Sequence, residues 1–514
     1  MLARRLPVAS YLAPTFVAKQ NVGFNVTYHN KLAPHDYLKV FRTPGAPGSS
    51  YLEFAPHPEV RILTHLHGGF VASKDDGNPY QNFDAVPSGG VQAVTYPNED
   101  RATLLWYHDH YQGDTRMNVV AGLAGGFLVR DRHDTGNGSL GLPHNASGHG
   151  LYELPLVIQD RMWNPDGSLL YPVGPRKSRG PWISEYFGDT MLVNGKVWPF
   201  VVVDPCLYRF RILNGCNARI LNLAIPGARV TIIGSELGFL PAPVSTRAIV
   251  MAPAERYDVP VDFGPLAGKR TYIQNRTPGP PVSTPAPPLT QVTQFRVNTR
   301  ITGGGHRRWA GVLPEFSGDL RVRYGPPKLS GGTLPGRTIA LNEIGPDTRE
   351  SKLNVNATPF DGKQNTVRQT LEHDAVEDWY FVNVTDDTHP MHTHLFSFQV
   401  MGRYNYDREG LKAAFGGPTG VGQIPVTQLK KYLRSKLIRY LPQEAGFKDT
   451  VNANPHQITV VRAKYSLPST ALNPDGTVAG GVQRYVHHCH IVEHEDNDMM
   501  ERFAVVDHAA SPPQ

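Results

Sequence analysis

Cysteine is scarce in this sequence. Only three cysteines occur among 514 residues, so disulfide bonds do not hold a chain of this size together. Cys206 and Cys216 flank the run 207–215, which we expect to be largely an extended strand. An extended strand of that length holds its ends too far apart for a disulfide. We therefore predict that both residues are free structural thiols.

Long hydrophobic runs and long basic blocks are also missing. No segment approaches the roughly 18 apolar residues of a membrane helix, so we predict no membrane span. The formal net charge of +6 and the pI near 9.0 are mild. No basic patch interleaved with aromatic residues occurs, and its absence argues against a nucleic-acid partner.

The location of the protein stays open. The first residues, MLARRLPVASYLAPTF, are basic, but two prolines interrupt a short apolar run, which makes a poor signal peptide. Six N-x-S/T sequons exceed chance expectation and are compatible with a secreted protein. These sequons begin at Asn25, Asn137, Asn145, Asn275, Asn356 and Asn383.

Turn-forming residues are abundant. The chain has 50 glycines and 45 prolines, and short runs rich in Val, Ile, Phe and Tyr recur between them. This pattern predicts an all-β protein with many short strands. At about 150 residues per domain, the length predicts three domains. We place their boundaries at 1–150, 151–300 and 301–514, the last of which begins with a linker.

One segment breaks the β pattern. Residues 426–441 place Leu429, Leu433 and Leu437 at i, i+4 and i+8, with lysines and arginines between them. This spacing predicts an amphipathic helix. Such a helix would pack on the third domain as a lid, with its basic face in solvent.

Paired histidines are the strongest signal in the sequence. Chance predicts about one H-x-H pair for a chain with 21 histidines, and this chain has four. Residues i and i+2 of a strand point to the same face, so each pair delivers two imidazoles to one place. Eight imidazoles suit three metal ions that keep open positions for a small molecule. The pairs are His65/His67, His108/His110, His392/His394 and His488/His490.

The fourth pair encloses Cys489. His494 and Met499 follow this cysteine at five and ten residues, and His389 precedes the third pair. A thiolate, two imidazoles and a weak thioether form the ligand set of a blue-copper electron-transfer site. Strand alternation turns Cys489 away from its two histidine neighbours. The blue copper is therefore expected on one side of this strand and the three-metal cluster on the other.

Two ordinary interpretations compete with copper. A single histidine is more often a core or surface residue with a hydrogen-bond partner, but twelve residues in this arrangement are not explained that way. Zinc is the other common metal. Zinc sites use four tetrahedral nitrogen and sulfur ligands and have no need of eight paired imidazoles beside a Cys-His-His-Met set.

The motifs HLHGG, WYHDH, HPMHTH and HCHIVEHEDNDMM resemble the four copper-binding signatures of multicopper oxidases. The runs GDTMLVNGKVWPF, YRFRILN and APAERYDV resemble the branch that contains spore-coat laccase, phenoxazinone synthase and bilirubin oxidase. This resemblance covers nearly the whole chain. It implies three cupredoxin-like Greek-key β-sandwiches. It also implies an oxidase that couples one-electron oxidation of phenolic, aminophenolic or tetrapyrrole-like donors to the four-electron reduction of dioxygen to water.

The resemblance also implies roles for individual residues and a cofactor of four copper ions. The blue copper would be held by His389, Cys489, His494 and Met499. The lone cluster copper would be held by His65 and His392. The coupled pair would be held by His67, His108, His110, His394, His488 and His490.

Two acidic residues match family positions that assist proton delivery. Asp76 follows the first histidine pair, and Glu495 follows His494 directly. Asp76 also suits a turn before a glycine, and Glu495 also suits a carboxylate that supports the metal ligands. A general acid beside a cluster that makes water is the sharper hypothesis.

Two departures from the family pattern stand out. Family members carry additional residues, including a first strand, before the segment that matches APTFVAKQNVGF, so we expect this chain to be truncated at its start. His487 stands where an aromatic residue usually precedes the H-C-H triplet. Alternation turns its side chain towards the blue copper, where it is either a competing ligand or a packed imidazole.

The electron donor is the least determined feature. We expect a small aromatic reductant to approach an exposed edge of His494 or His389. Residues 402–445 are expected to shape the entrance to that edge. The protein is expected to be a monomer. Phenols, aminophenols and tetrapyrroles all stay open. A cuprous oxidase is disfavoured because the chain has 9 methionines and no methionine-rich segment.

Two other classes of protein fit less well. A copper nitrite reductase also uses cupredoxin domains and a blue copper, but it does not need four H-x-H pairs. A cupredoxin that has lost its metals would lack some of the ligands, and none is missing in this sequence.

Overall fold

The computed structural model describes residues 11–32, 60–79, 86–145, 151–172, 183–276, 288–305, 309–329, 334–345, 352–360 and 367–507. Short runs rich in Val, Ile and aromatic residues form strands between glycine and proline turns, as their β propensity predicts. The prediction of an all-β protein is confirmed.

The first stretch of the chain forms two small sheets. One has the order β1-β6-β5-β3, and the other pairs β2 with β4. A short helix, α1, connects β5 to β6. The bounds are β1 (Phe16–Lys19), β2 (Phe24–His29), β3 (Thr64–His67), β4 (Val91–Tyr96), β5 (Thr103–Asp109), α1 (Thr115–Val120) and β6 (Ala124–Arg130).

The second stretch forms a sheet of seven strands and a sheet of five. Their orders are β14-β13-β16-β11-β7-β8-β9 and β10-β18-β17-β12-β15. The bounds are β7 (Glu153–Arg161), β8 (Thr190–Val193), β9 (Lys196–Val197), β10 (Phe200–Val203), β11 (Leu207–Asn214), β12 (Leu221–Ala224), β13 (Arg229–Ser235), β14 (Gly238–Thr246), β15 (Ile249–Met251), β16 (Arg256–Asp262), β17 (Arg270–Asn275) and β18 (Gln291–Val297).

The third stretch forms two five-stranded sheets and a small ribbon. Their orders are β20-β19-β22-β28-β24, β21-β30-β29-β23-β27 and β25-β26. The bounds are α2 (Leu320–Tyr324), β19 (Gly336–Ile344), β20 (Lys352–Val355), β21 (Gln369–Glu372), β22 (Val376–Asn383), β23 (His389–Thr393), β24 (Phe398–Asn405), α3 (Arg408–Phe415), β25 (Gly416–Gly417), β26 (Gly420–Val421), α4 (Val426–Leu429), β27 (Thr450–Ala453), β28 (Gln457–Lys464), β29 (Val482–Cys489), α5 (Val492–Asp496) and β30 (Met500–Val506).

Facing sheets bury shared apolar cores. Phe210 of β11 and Phe295 of β18 lie in one core cluster, although they belong to different sheets of the second stretch. Trp379 of β22 and Phe503 of β30 do the same in the third stretch. Two packed sheets around one core define a β-sandwich. The domain boundaries at residues 150 and 300 stay a prediction.

The cysteines are as the sequence predicts. Cys206 and Cys216 are buried and form no disulfide within the part of the chain that the structure describes, and strand β11 (Leu207–Asn214) runs between them. Cys489 is also free and buried. Helices in the described part of the chain have at most eight residues, and none has the apolar length that a bilayer span requires.

The predicted helix over 426–441 is wrong. Helix α4 ends at Leu429, a single 3-10 turn follows, and the backbone is extended from Leu433. Arg403 and Ile438 exchange backbone hydrogen bonds of 2.9 and 2.7 Å. Strand β24 lies at the edge of its sheet, and its unpaired backbone groups bind this segment, which outweighs the helical spacing of the leucines. We name residues 426–441 the basic strap.

Candidate metal centres

Eight buried imidazoles meet between the sheets of the first and third stretches. Strand pairing sets His65 of β3 opposite His108 of β5, and His392 of β23 opposite His488 of β29. Each H-x-H pair therefore begins inside a strand. The second members of three pairs, His110, His394 and His490, lie just beyond a strand end, and all eight rings are at most 1% exposed.

Three of these rings point the same nitrogen at one place. The Nε2 atoms of His110, His394 and His488 lie 3.2 to 3.3 Å from one another. Burial, with the neighbouring imidazoles, lowers the pKa of all three rings well below its usual value, so they are neutral at pH 7. Neutral imidazole is the form that ligates a metal ion. The donor set therefore fits a transition-metal ion.

The other imidazoles leave further buried nitrogens available. His65, His67 and His108 bring one ring nitrogen each within metal-sharing distance. The Nε2 atoms of His65, His108 and His392 and the Nδ1 atom of His67 have no hydrogen-bond partner among the residues that the structure describes. A buried polar atom without a partner is costly, and a bound cation removes that cost.

Backbone carbonyl oxygens fix the orientation of several rings through contacts with their Nδ1 atoms. The Nδ1 atoms of His65, His108 and His392 lie 2.6, 2.8 and 2.9 Å from the carbonyl oxygens of Asp76, Asp109 and Asp449. A proton on Nδ1 donates to each carbonyl and leaves Nε2 free for a metal. The local fold thus fixes which nitrogen faces the centre.

Both acidic residues that the sequence singled out touch this centre. The Oδ2 atom of Asp76 lies 2.7 Å from Nδ1 of His394. The carboxyl of Glu495 lies between Nδ1 of His110 at 3.2 Å and Nδ1 of His488 at 3.3 Å. Burial raises the pKa of Glu495 well above its usual value, which favours a carboxyl that carries a proton.

A second centre lies on the other side of β29. The Sγ atom of Cys489 is 3.6 Å from Nδ1 of His389 and 3.7 Å from Nδ1 of His494. All three side chains are fully buried. A cysteine sulfur and two imidazoles within one small triangle fit a soft-ligated copper ion.

The neighbouring methionines differ in their surroundings. Met499 is buried in the core cluster that contains Cys489. Met500 belongs to a separate small cluster with Val486 and Phe360. The environment of Met499 therefore suits the place among the blue-copper ligands that the resemblance implies for it.

The expectation of an exposed histidine edge is wrong. His389 and His494 are both 0% exposed. The Oγ1 atom of Thr385 lies 2.7 Å from Nε2 of His389, and a carboxylate oxygen of Glu185 lies 3.6 Å from Nε2 of His494. These two side chains cover the ring edges that a donor was expected to meet.

His487 is a packed imidazole. Its ring lies edge-on to Trp379 with centroids 5.2 Å apart, and it stacks on Phe503 at 6.4 Å. Its Nε2 atom lies 3.3 Å from a carboxylate oxygen of Glu501. These contacts favour the packed interpretation over a competing ligand.

Sequence reasoning missed a buried ion pair that supports the eight-histidine centre. An Oδ1 atom of Asp449 lies 3.1 Å from Nε2 of His67, and Arg256 binds both oxygens of Asp449 at 2.6 and 2.8 Å. Burial alone would raise the pKa of Asp449, but the charge of Arg256 outweighs it and holds that pKa well below its usual value. The signals in the sequence are weak: Arg256 lies in the family-like run APAERYDV, and the charged pair Lys448 and Asp449 stands directly before strand β27.

Comparisons with known proteins agree with this geometry. Two models of multicopper oxidase domains match residues 57–134 and 335–509. A laccase from Bacillus subtilis is 33% identical over 96% of this chain and 88% of its own length. The multicopper oxidase LPR2 of Arabidopsis thaliana is 32% identical over 97% of this chain and 83% of its own length. The chain belongs to the multicopper oxidase family.

Solved structures place the fold. The McoA multicopper oxidase of Aquifex aeolicus superposes with a TM-score of 0.67 at 25% identity, over 95% of this chain and 88% of that one. A laccase from Pediococcus acidilactici superposes with a TM-score of 0.68 over 97% of this chain and 84% of that one, at 23% identity. The fold is three cupredoxin-like β-sandwiches. Within the family the chain lies in the laccase branch, and it is a four-copper enzyme that couples oxidation of small-molecule substrates to reduction of dioxygen.

Proposed function

We propose that this chain oxidises aromatic donors one electron at a time at the Cys489 centre and reduces dioxygen to water at the eight-histidine centre. The observation that carries the proposal is the pair of centres on opposite sides of one strand. Cys489 contacts His389 and His494, while its neighbour His488 contacts His110.

We assign the ligands by the nitrogens that lack other partners. His389, Cys489, His494 and Met499 would hold the blue copper. His65 and His392 would hold the lone cluster copper through Nε2. The coupled pair would be held by His67, His108 and His490 on one ion and by His110, His394 and His488 on the other. When bound, these coppers supply the one-electron redox chemistry and the site at which dioxygen is reduced.

The strand geometry links electron entry to oxygen reduction. Cys489 and His488 are adjacent residues of β29, and His490 follows at its end. Successive side chains of a strand point to opposite faces. One tripeptide thus joins the two centres covalently.

Protons are supplied by buried carboxyls. Four electrons reduce one dioxygen to two waters only with four protons. Glu495 touches His110 and His488 and is held in its protonated form by burial, so we assign it proton delivery. Asp76, on Nδ1 of His394, orients that ring and takes the second proton-handling position.

The donor is an aromatic molecule, and the protein acts as a monomer. Thr385 and Glu185 cover the ring edges of the blue-copper ligands, so the donor binds over these side chains. An aromatic ring can pass an electron across one layer of side chains without touching the metal. Phenols, aminophenols and tetrapyrroles share this property.

The test uses purified, copper-loaded protein. We expect an intense blue colour, four coppers per chain, and oxygen uptake with a phenolic or aminophenolic donor that releases no hydrogen peroxide. Peroxide released in proportion to oxygen consumed would overturn the proposal. Retention of zinc in place of copper after copper supplementation would do the same.

A further inference from the structure

Most of the net charge of the chain lies on the basic strap. Residues 426–441 contain five basic residues and no acidic residue, while the formal net charge of all 514 residues is +6. The remainder of the chain is therefore nearly neutral. A charge concentrated in this way produces a local positive field, which a uniformly basic surface does not.

The strap points its charges outward. Leu429 is buried in the core beneath the strap, and Leu433 and Leu437 pack against the same core. Lys430, Lys431, Arg434, Lys436 and Arg439 are all exposed. Of these, Lys430, Lys431 and Lys436 form no ion pair with any residue that the structure describes, so their charges are available to a solute.

Side-chain contacts connect the strap to the blue-copper side of the third domain. Arg434 of the strap pairs with Asp407. The next residue, Arg408, donates to the carbonyl oxygen of Thr385 at 3.3 Å, and the hydroxyl of Thr385 lies 2.7 Å from Nε2 of His389. The charged strap thus lies a few contacts from a ligand of the electron-entry centre.

Nearby acidic side chains do not cancel this field. Asp386 and Glu409 are exposed and both pair with Arg408, so these three side chains together carry one negative charge, against the three unpaired lysines of the strap. Glu185, beside His494, is fully enclosed and presents no charge to solvent. The unpaired lysines of the strap therefore leave an excess of positive charge among these side chains.

We propose that the basic strap selects anionic aromatic donors, such as carboxylated or sulfonated rings, by attracting them to the blue-copper side. This inference rests on the proposed function and names its substrate class. Each donor molecule gives up one electron, and four donors with four protons reduce one dioxygen to two waters. Electrostatic focusing raises association rates by about 10- to 1,000-fold and is screened by salt.

The experiment compares three ferrocene donors on the copper-loaded enzyme. Ferrocene carboxylate is anionic, hydroxymethylferrocene is neutral, and ferrocenylmethyl-trimethylammonium is cationic. All three are one-electron donors of similar size. The strap variant carries Lys430→Gln, Lys431→Gln and Lys436→Gln. A matched control carries Lys19→Gln, Lys196→Gln and Lys269→Gln, which removes the same charge from exposed positions outside the third domain.

In the strap variant we expect kcat/KM for the anionic donor to fall by about tenfold, while the value for the neutral donor changes less than about twofold. The value for the cationic donor should rise. The control variant should leave all three values near those of the unmodified enzyme. Because each donor is compared with itself, differences in donor potential cancel. Raising the ionic strength from about 0.01 to about 0.3 M should abolish the effect.

Several outcomes would overturn the inference. Equal changes for all three donors would show that the strap is structural. An equal fall for the anionic donor in both variants would show that only net charge matters. A further outcome is a strap variant that binds a polyanion resin less tightly than the unmodified enzyme while the ratios of kcat/KM among the three donors stay unchanged. That result would show that the strap binds a macromolecular partner instead. Failure of the proposed function is distinct, because the unmodified enzyme would then oxidise none of the three donors.

Discussion

The two metal centres are equally buried but are assembled in different ways. The proposed blue-copper ligands His389, Cys489 and His494 all come from a single sheet and the helix that follows it. The eight-histidine centre draws on strands β3 and β5 of the first stretch and β23 and β29 of the third. It also leans on the second stretch, because Arg256 of β16 holds Asp449 against His67. One centre is thus local, and the other depends on how three parts of the chain pack.

This comparison predicts that a mutation at a contact between the domains removes copper from the eight-histidine centre before it removes the blue copper. Arg256→Met leaves the carboxylate of Asp449 buried without its cation, which should cost about 3 to 5 kcal/mol. We expect the copper content to fall and the paramagnetic signal of the lone cluster copper to vanish. The blue absorption should persist, because its ligands do not contact Arg256.

The matched control is Arg211→Met, which breaks another buried arginine network. Arg211 pairs with Asp134, Glu153 and Asp258, none of which touches a histidine of either centre. Stability should fall without selective loss of cluster copper. If both variants lose blue and cluster copper in the same proportion, the eight-histidine centre has no special dependence on Arg256.

Glu495→Gln should slow oxygen reduction at the eight-histidine centre without slowing electron entry at the Cys489 centre. The amide keeps the shape of the side chain but cannot deliver a proton, so we expect oxygen consumption to slow about a hundredfold. Without oxygen, a donor should still bleach the blue colour at the normal rate. Stopped-flow absorbance and oxygen uptake measure the two steps.

Glu501→Gln is the comparison for that experiment. Glu501 is a buried carboxylate that contacts His487 and no proposed ligand, so its replacement should leave both steps near normal. Equal slowing of bleaching and oxygen uptake in Glu495→Gln would contradict a role limited to protons.

Asp134→Asn tests a buried group of charged side chains that contacts neither metal centre. Burial alone would raise the pKa of Asp134, but Arg211 and Arg209 outweigh it and hold that pKa well below its usual value. The stabilisation from this group is present above its unfolded pKa near 4 and is lost as the pH falls through the folded value. The variant should therefore lose about 2 kcal/mol of unfolding free energy at pH 7.

The pH dependence makes that prediction specific. Urea unfolding should show the gap between Asp134→Asn and the unmodified protein narrowing as the pH falls below about 4. Copper content at pH 7 should be unchanged. A gap that widens in acid would mean that Asp134 is not held ionised by its arginine neighbours.

Sequence spacing predicted the local features well. The paired imidazoles and the opposite direction of Cys489 follow from strand periodicity, and the absence of a bond between Cys206 and Cys216 follows from the length of the strand between them. The strand register places pairs such as His65 and His108 directly opposite each other. Spacing along the sequence does not define that register.

Features that depend on distant partners were not predictable. Asp449 and Arg256 meet across 193 positions in the sequence, and neither lies in a histidine motif. The strap failed as a helix because the edge of β24 offered it backbone partners, and no local pattern reports a free sheet edge. Glu185 covers His494 from the second stretch for the same reason.

The smallest effect concerns the proposed methionine ligand of the blue copper, because Met499 and Met500 are adjacent. Met499 shares a core cluster with Cys489, whereas Met500 packs with Val486 and Phe360. A thioether that donates weakly to copper favours Cu(II), so Met499→Leu should keep the blue colour and raise the reduction potential in a redox titration. Met500→Leu nearly conserves volume and should cost at most about 1.5 kcal/mol, with the potential unchanged. If the potential moved in Met500→Leu and stayed fixed in Met499→Leu, Met500 rather than Met499 would be the ligand. The proposed assignment of the ligands that follow Cys489 would then be wrong.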